Sequence, residues 1–157
     1  MTDRKYGRQF TGEQLKEIAF PLGGIGTGTV SLTGSGALRE WQVKNRPNQL
    51  SLNPNTFFAL WARSGEGEPV ARVLEGPVLE PYHKHQYGVH GKFFPGSGLG
   101  NSGVPGLPRM KQVSFRGEYP FANIDMADEA LPLSISLEAY NPFIPMNPDD
   151  SGIPCAI

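Results

Sequence analysis

Hydrophobic positions along this chain come in short runs broken by glycine and proline. The cleanest run is Leu133, Ile135 and Leu137, alternating with Ser134, Ser136 and Glu138. A period of two predicts a strand with one buried face. Val113 and Phe115 alternate in the same way before Gly117. Residues 25–32 (IGTGTVSL) and 37–44 (ALREWQVK) predict two further strands, and Thr33-Gly34-Ser35-Gly36 between them has the glycines that a hairpin turn requires. On the second of these strands Ala37, Arg39, Trp41 and Val43 are expected to share a face. Arg39 lies either near the strand mouth or along the sheet edge beside Glu40, and the pattern does not choose between the two.

Residues 56–63 (TFFALWAR) are apolar at successive positions, which predicts a strand covered on both faces with Trp61 in the core. A polar loop over 64–69 follows, and residues 70–74 return as the partner strand. Helical spacing occurs in one place. Thr11-Gly12-Glu13-Gln14 fits a capping box, and Leu15, Ile18 and Ala19 form a short stripe, so one helix is expected over 12–18, ended by Pro21 and Gly23. The expected class is mostly β with one short N-terminal helix.

Composition sharpens this picture. The chain has 157 residues, enough for one domain with a real core. Its 20 glycines and 15 prolines are about double the usual share and oppose long helices. The formal net charge is −1, with signs interspersed, so no basic stripe is available to neutralise phosphates and nucleic acid is not an expected partner. No apolar run is long enough to span a bilayer, and the opening residues MTDRKYGRQFTGE lack the apolar core of a signal peptide. A cytoplasmic location is therefore expected. A single cysteine, Cys155, excludes an internal disulfide framework.

Four features could carry chemistry. The first is the cluster Gly23, Gly24, Gly26 and Gly28. A dinucleotide fingerprint needs a third glycine where Thr29 stands, and a helix where Thr29-Val30-Ser31-Leu32 favours a strand. The preferred reading is close backbone approach at a bend, and a helix starting near Thr27 would be required to revive the nucleotide reading. The second is His83 and His85 on one strand face, with His90 beyond. Imidazoles two apart can chelate zinc, but no carboxylate or cysteine nearby completes a set, so no metal is assigned. The third is the carboxylates Glu40, Glu118, Asp125, Asp128, Glu129, Glu138, Asp149 and Asp150, none marked by its surroundings as a catalytic acid; Asp149-Asp150 before Ser151-Gly152 reads as a turn. The fourth is the aromatics Trp41, Trp61, Tyr82, Tyr87, Tyr119 and Tyr140, which could stack on sugar rings, with Trp41 ambiguous between platform and core. Residues 94–108 form a long glycine-rich surface loop.

Three long blocks carry a resemblance: FPLGGIGTGTVSLTGSGALREWQVKNRPN, FRGEYPFANIDMADEALPLSISLEAYNPFIP and DDSGIPCAI. Together they resemble the N-terminal domain of glycoside hydrolase family 116, which includes microbial β-glucosidases and the animal non-lysosomal glucosylceramidase. The resemblance covers residues 20–157. It implies an incomplete antiparallel β-sandwich that packs on a C-terminal (α/α)6 barrel. In the family that barrel carries a glutamate nucleophile and an aspartate acid/base. Neither motif occurs in this chain, so no catalytic residue is assigned. No cofactor is implied.

The resemblance also implies a division into an N-terminal segment, 1–19, and a partial sandwich, 20–157, truncated before the barrel, with further strands expected after Ile157. Arg39, Trp41, Asn45 and Arg46 are the expected domain-interface residues. Leu133, Ile135 and Leu137 are expected to need partners, since a shortened sandwich leaves an apolar face and a sheet edge uncovered. The alternative is a free-standing carbohydrate-binding or interaction module. Exposure of Trp41 beside tyrosines would favour it, and burial of both tryptophans would favour the structural reading.

Overall fold

The computed structural model describes residues 7–44, 46–48, 56–79 and 106–156. Asn45, the histidine-bearing stretch 82–93 and most of the 94–108 loop lie outside the described residues. The fold is mostly β, an incomplete antiparallel sandwich. Its strands are β1 (Gln9–Thr11), β2 (Ala19–Leu22), β3 (Gly28–Thr33), β4 (Leu38–Val43), β5 (Ala59–Ala62), β6 (Val70–Val73), β7 (Gln112–Glu118), β8 (Phe121–Ala127) and β9 (Ser134–Tyr140). They form a four-stranded sheet in the order β1-β7-β8-β9, a three-stranded sheet β2-β3-β4 and the hairpin β5-β6.

In the four-stranded sheet alternation does what the sequence predicts. Val113 and Phe115 on β7, Ala122, Ile124 and Met126 on β8, and Ala139 on β9 are buried. Ile135 and Leu137 are half-buried against the same cluster, while Leu133 precedes β9 and is exposed. The opposite face is polar: Asp125 pairs with Arg116 at 3.0 Å and accepts from Ser136 Oγ at 2.8 Å. The core continues into the three-stranded sheet through Phe20, Leu22, Leu32 and Leu38, and into the hairpin through Leu60, Ala62 and Val70. β1 pairs with β7 from Gln9↔Arg116 to Thr11↔Ser114, and Leu15 is in the core, so residues 9–19 are built into the same body.

Several expectations need correction. The helix expected over 12–18 is a 3-10 turn, Gly12–Glu17, with the Gln14 side chain accepting from Thr11 N–H at 3.3 Å. It ends sooner because Ala19–Leu22 is a strand. Pro21 does not stop that strand, because β2 lies at a sheet edge and a missing N–H costs little there. The strand expected to be covered on both faces is open on one. Leu60 and Ala62 face the core, while Trp61 is 63% exposed rather than buried. Asp149 and Asp150 lie in a single helical turn, α1 (Pro148–Ser151), capped by Asn147 Oδ1 accepting from Asp150 N–H at 3.1 Å.

Candidate domain interface

The glycine cluster is a clamp on the chain's last described stretch. Residues 25–27 form a turn and β3 begins at Gly28, so no helix starts near Thr27 and the nucleotide reading fails. Gly24 packs directly on the carbonyl of Ile153, and an added Cβ would overlap that oxygen. Buried Asn141 ties the loop down from the other side: its Oδ1 accepts from Gly23 N–H at 2.7 Å and its Nδ2 donates to Pro21 O at 2.8 Å.

Ser151, also buried, is a second tie. Its Oγ lies 2.9 Å from Ile144 N and 3.0 Å from Ile144 O, and its carbonyl accepts from Ile25 N–H at 2.9 Å. Ile25, Ile144 and Ile153, at 55%, 48% and 49% exposure, are thus held by backbone bonds or close packing around this one junction. Val43 joins the same end of the molecule, because Gly28 pairs with Val43 at the end of β4, and it too is exposed. Sequence reasoning missed this apolar face. Its members lie far apart along the chain, and three of them fall outside any alternating run.

The expected interface residues are divided. The pairing Thr29↔Gln42 followed by Ser31↔Arg39 leaves three steps on β4 against two on β3. That is a β-bulge at Glu40, whose φ of 50° is in the left-handed region. Directly paired residues point to the same face, so the bulge puts Arg39 with Ser31, and Trp41 on the opposite face. The common face expected for Ala37, Arg39, Trp41 and Val43 is therefore broken. Trp41 is half-buried, with its carbonyl accepting from Asn48 Nδ2 at 3.1 Å. Arg46 is exposed near the Val43 end. Arg39 lies at the turn end and is 4% exposed.

Around Arg39 the second face of the sheet is buried yet polar, with Ser31 and Thr33 beside it on β3. Glu75, 3% exposed, forms an ion pair with half-buried Arg109 and interacts electrostatically with Arg39. Burial lowers the Arg39 guanidinium from its ordinary pKa; Glu75 acts in the opposite direction, and the like charge of Arg109 lowers it further. The strap 74–76 that carries Glu75 lies on the β3–β4 turn through Gly76 N–H to Ser35 O at 2.8 Å. Gly36 (φ 97°) permits this approach, since a Cβ there would fall 3.0 Å from Leu74 O.

Three of the buried or half-buried carboxylates are held by arginines. Besides Glu75 and Asp125, the Asp128 carboxyl accepts from Arg72 Nε at 2.8 Å and from Ala130 N–H at 2.9 Å. The bond from Arg72, then that from Ala130, holds its pKa below the ordinary carboxylate value. Asp128 borders a shallow depression of about 410 Å³ with Glu129 and Leu131. A general acid for glycoside cleavage needs a raised pKa, and Asp128 is shifted the other way.

The family model for the glycosyl-hydrolase family 116 N-terminal domain, described as beta-glucosidase 2, matches residues 19–157. The chain belongs to this family. The glycine clamp, the bulged hairpin and β9 all lie inside the matched stretch. Among curated proteins, none matches the chain. As a family 116 N-terminal domain it is a component of a glycoside hydrolase, with a catalytic domain as its implied partner. Among the described residues no helix is long and apolar enough to cross a membrane.

Proposed function

We propose that this chain is the structural β domain of a retaining β-glucosidase. It packs on an (α/α)6 domain that carries the nucleophile and the acid/base, and it is inactive by itself. Substrates of the whole enzyme would be β-glucosides, with glucosylceramide among the candidates, cleaved through a glycosyl-enzyme intermediate. The observation that carries this reading is the family match over residues 19–157. The engaged carboxylates support it, since Asp125 and Asp128 are bound to arginines rather than facing each other across a cleft. The apolar face of Ile25, Val43, Ile144 and Ile153, with Trp41 and Arg46 at the same end, is the surface offered to the catalytic domain. Asn45 belongs to the same proposal by sequence position, and buried Arg39 is left out of it. Co-expression with a family 116 barrel tests this: the two parts should co-purify, and Ile25→Asp combined with Ile153→Asp should abolish co-purification without unfolding the domain. Undiminished association of the double variant would refute the assigned face.

A second reading, a carbohydrate-binding module, draws on Trp61. Its exposed ring stands on the hairpin next to Ala59 and opposite Ala71, small neighbours that leave the indole face open to a pyranose ring. Titration of the chain with cello-oligosaccharides separates the readings. Saturable binding lost in Trp61→Ala would establish the module, and absence of heat would leave the structural role.

A further inference from the structure

An open sheet edge presents a row of N–H and C=O groups to any extended chain, and proteins blunt such edges by shortness, proline, charge or a bulge. Most edges of this fold are blunted. β1 has 3 residues, β2 carries Pro21, β4 carries the bulge at Glu40, and β5 and β6 have 4 residues each. β9 is different. It runs for 7 residues in unbroken register with β8, has no proline or lysine, and ends the four-stranded sheet among the described residues. The direction of its backbone groups follows from one bond. Asn141 N–H donates to Pro120 O at 3.0 Å, one step past the pair Phe121↔Tyr140. Backbone groups alternate sides along an antiparallel strand, so Ile135, Leu137 and Ala139 also turn theirs towards β8. Ser134, Ser136, Glu138 and Tyr140 turn N–H and C=O outward, and no backbone group of the described residues bonds to them. On the core face Ala139 is buried, but Ile135 and Leu137 are only half-buried, so the core is open along this edge.

We propose that β9 is a self-association edge, on which a second copy of this chain lays its own β9 antiparallel. The strand is complementary to itself. About a two-fold axis at Leu137 it pairs Leu137 with Leu137, Ile135 with Ala139, Ser136 with Glu138 and Ser134 with Tyr140. Apolar side chains then meet apolar ones on the core face, and no like charges are opposed. Neighbouring registers are worse. An axis at Glu138 opposes two carboxylates, and an axis at Ser136 sets Tyr140 against Pro132, which has no N–H to give. Pairing odd with even residues would turn the apolar set of one copy onto the polar set of the other. The symmetric register uses all of β9 and covers Ile135 and Leu137 in both copies. This proposal does not rest on the docking of a catalytic domain.

The test is sedimentation velocity of the full chain over a concentration series, together with a crosslink that reads the register. The wild-type chain should show a monomer–dimer equilibrium. Ser136→Pro removes an outward N–H that the pairing with β8 does not use, and should sediment as a monomer with an unchanged far-ultraviolet circular dichroism spectrum. Leu137 turns its backbone groups to β8, so the Leu137–Leu137 pair is of the non-hydrogen-bonded kind, with Cα atoms about 4.5 Å apart and within disulfide reach. In a Cys155→Ser background, Leu137→Cys should therefore form a covalent dimer by exchange with glutathione disulfide, and Glu138→Cys should not. This crosslink reads the same pairing should Ser136→Pro fail to fold.

A wild-type chain that stays monomeric throughout the series overturns the inference, as does a dimer that crosslinks through Glu138→Cys in place of Leu137→Cys. The same crosslink is then run on the chain joined to its catalytic domain. A covalent dimer of the joined protein supports a second copy as the occupant of the edge. Loss of the crosslink there would assign the edge to a strand of the larger protein, and would overturn the second copy while leaving the proposed function intact.

Discussion

The two larger sheets use the same strand chemistry to different ends. In β7-β8-β9 the pairing is continuous, from Gln112↔Ala127 to Glu118↔Phe121 and from Phe121↔Tyr140 to Ala127↔Ser134, with no register shift. One face is apolar and buried, and the other is polar and open, as an antiparallel sheet at the surface requires. In β2-β3-β4 the register shifts at Glu40, and both faces are buried around the turn, one apolar through Leu32 and one polar through Ser31, Thr33 and Arg39. The first sheet stabilises by removing apolar area from water. The second holds a charge cluster and a glycine clamp, features that cost stability and hold geometry. Burial on two faces therefore does not mean two apolar faces.

Four substitutions probe the contrast, in decreasing order of effect. Ile124→Ala, at the centre of the regular sheet with 0% exposure, should cost about 2–5 kcal/mol by urea denaturation; a loss well below that would deny this sheet its dominant role. Gly24→Ala should cost about 1–3 kcal/mol, because the Ile153 carbonyl it meets is backbone and cannot move aside cheaply. The same change should speed modification of Cys155, two residues further on, by a thiol reagent.

Asp128→Asn should act mainly in acid. The folded-state pKa of Asp128 lies below its unfolded value, so its contribution is present above about pH 4 and is lost as pH falls through the folded pKa. The variant should show a flatter acid limb of Tm against pH, whereas an unchanged limb would mean the Arg72 pair contributes nothing. Trp61→Ser should change stability by no more than about 0.5 kcal/mol, since the ring lies outside the core. A cost of core size would restore the sequence expectation of a buried tryptophan.

Legibility differs between the sheets for the same reason. Leu133, Ile135 and Leu137 announce β9 because one face is wet and one dry, and the TGSG turn announces the β3–β4 hairpin. The bulge at Glu40 gives no such signal, because a glutamate rather than a glycine adopts the left-handed conformation there. Pro21 concealed β2, since proline reads as a stop until the strand is known to lie at an edge. An apolar run does not tell a covered face from an open one, so the exposure of Trp61 is not legible in residues 56–63. The Arg39 site could not be assembled from spacing: Glu75 and Arg109 come from distant parts of the chain and meet it through the strap over Gly36. The family, by contrast, was legible from long blocks of sequence, because it depends on matching words and not on knowing which residues touch.

The central claim is that this family 116 domain supplies structure to a glucosidase and no catalytic group. The most direct measurement is nitrophenol release from a nitrophenyl β-glucoside by the purified chain, with and without the catalytic domain. The account predicts no release by the chain alone and release once the catalytic domain is present. Release by the chain alone that disappears in Asp128→Asn or Glu129→Gln would contradict it.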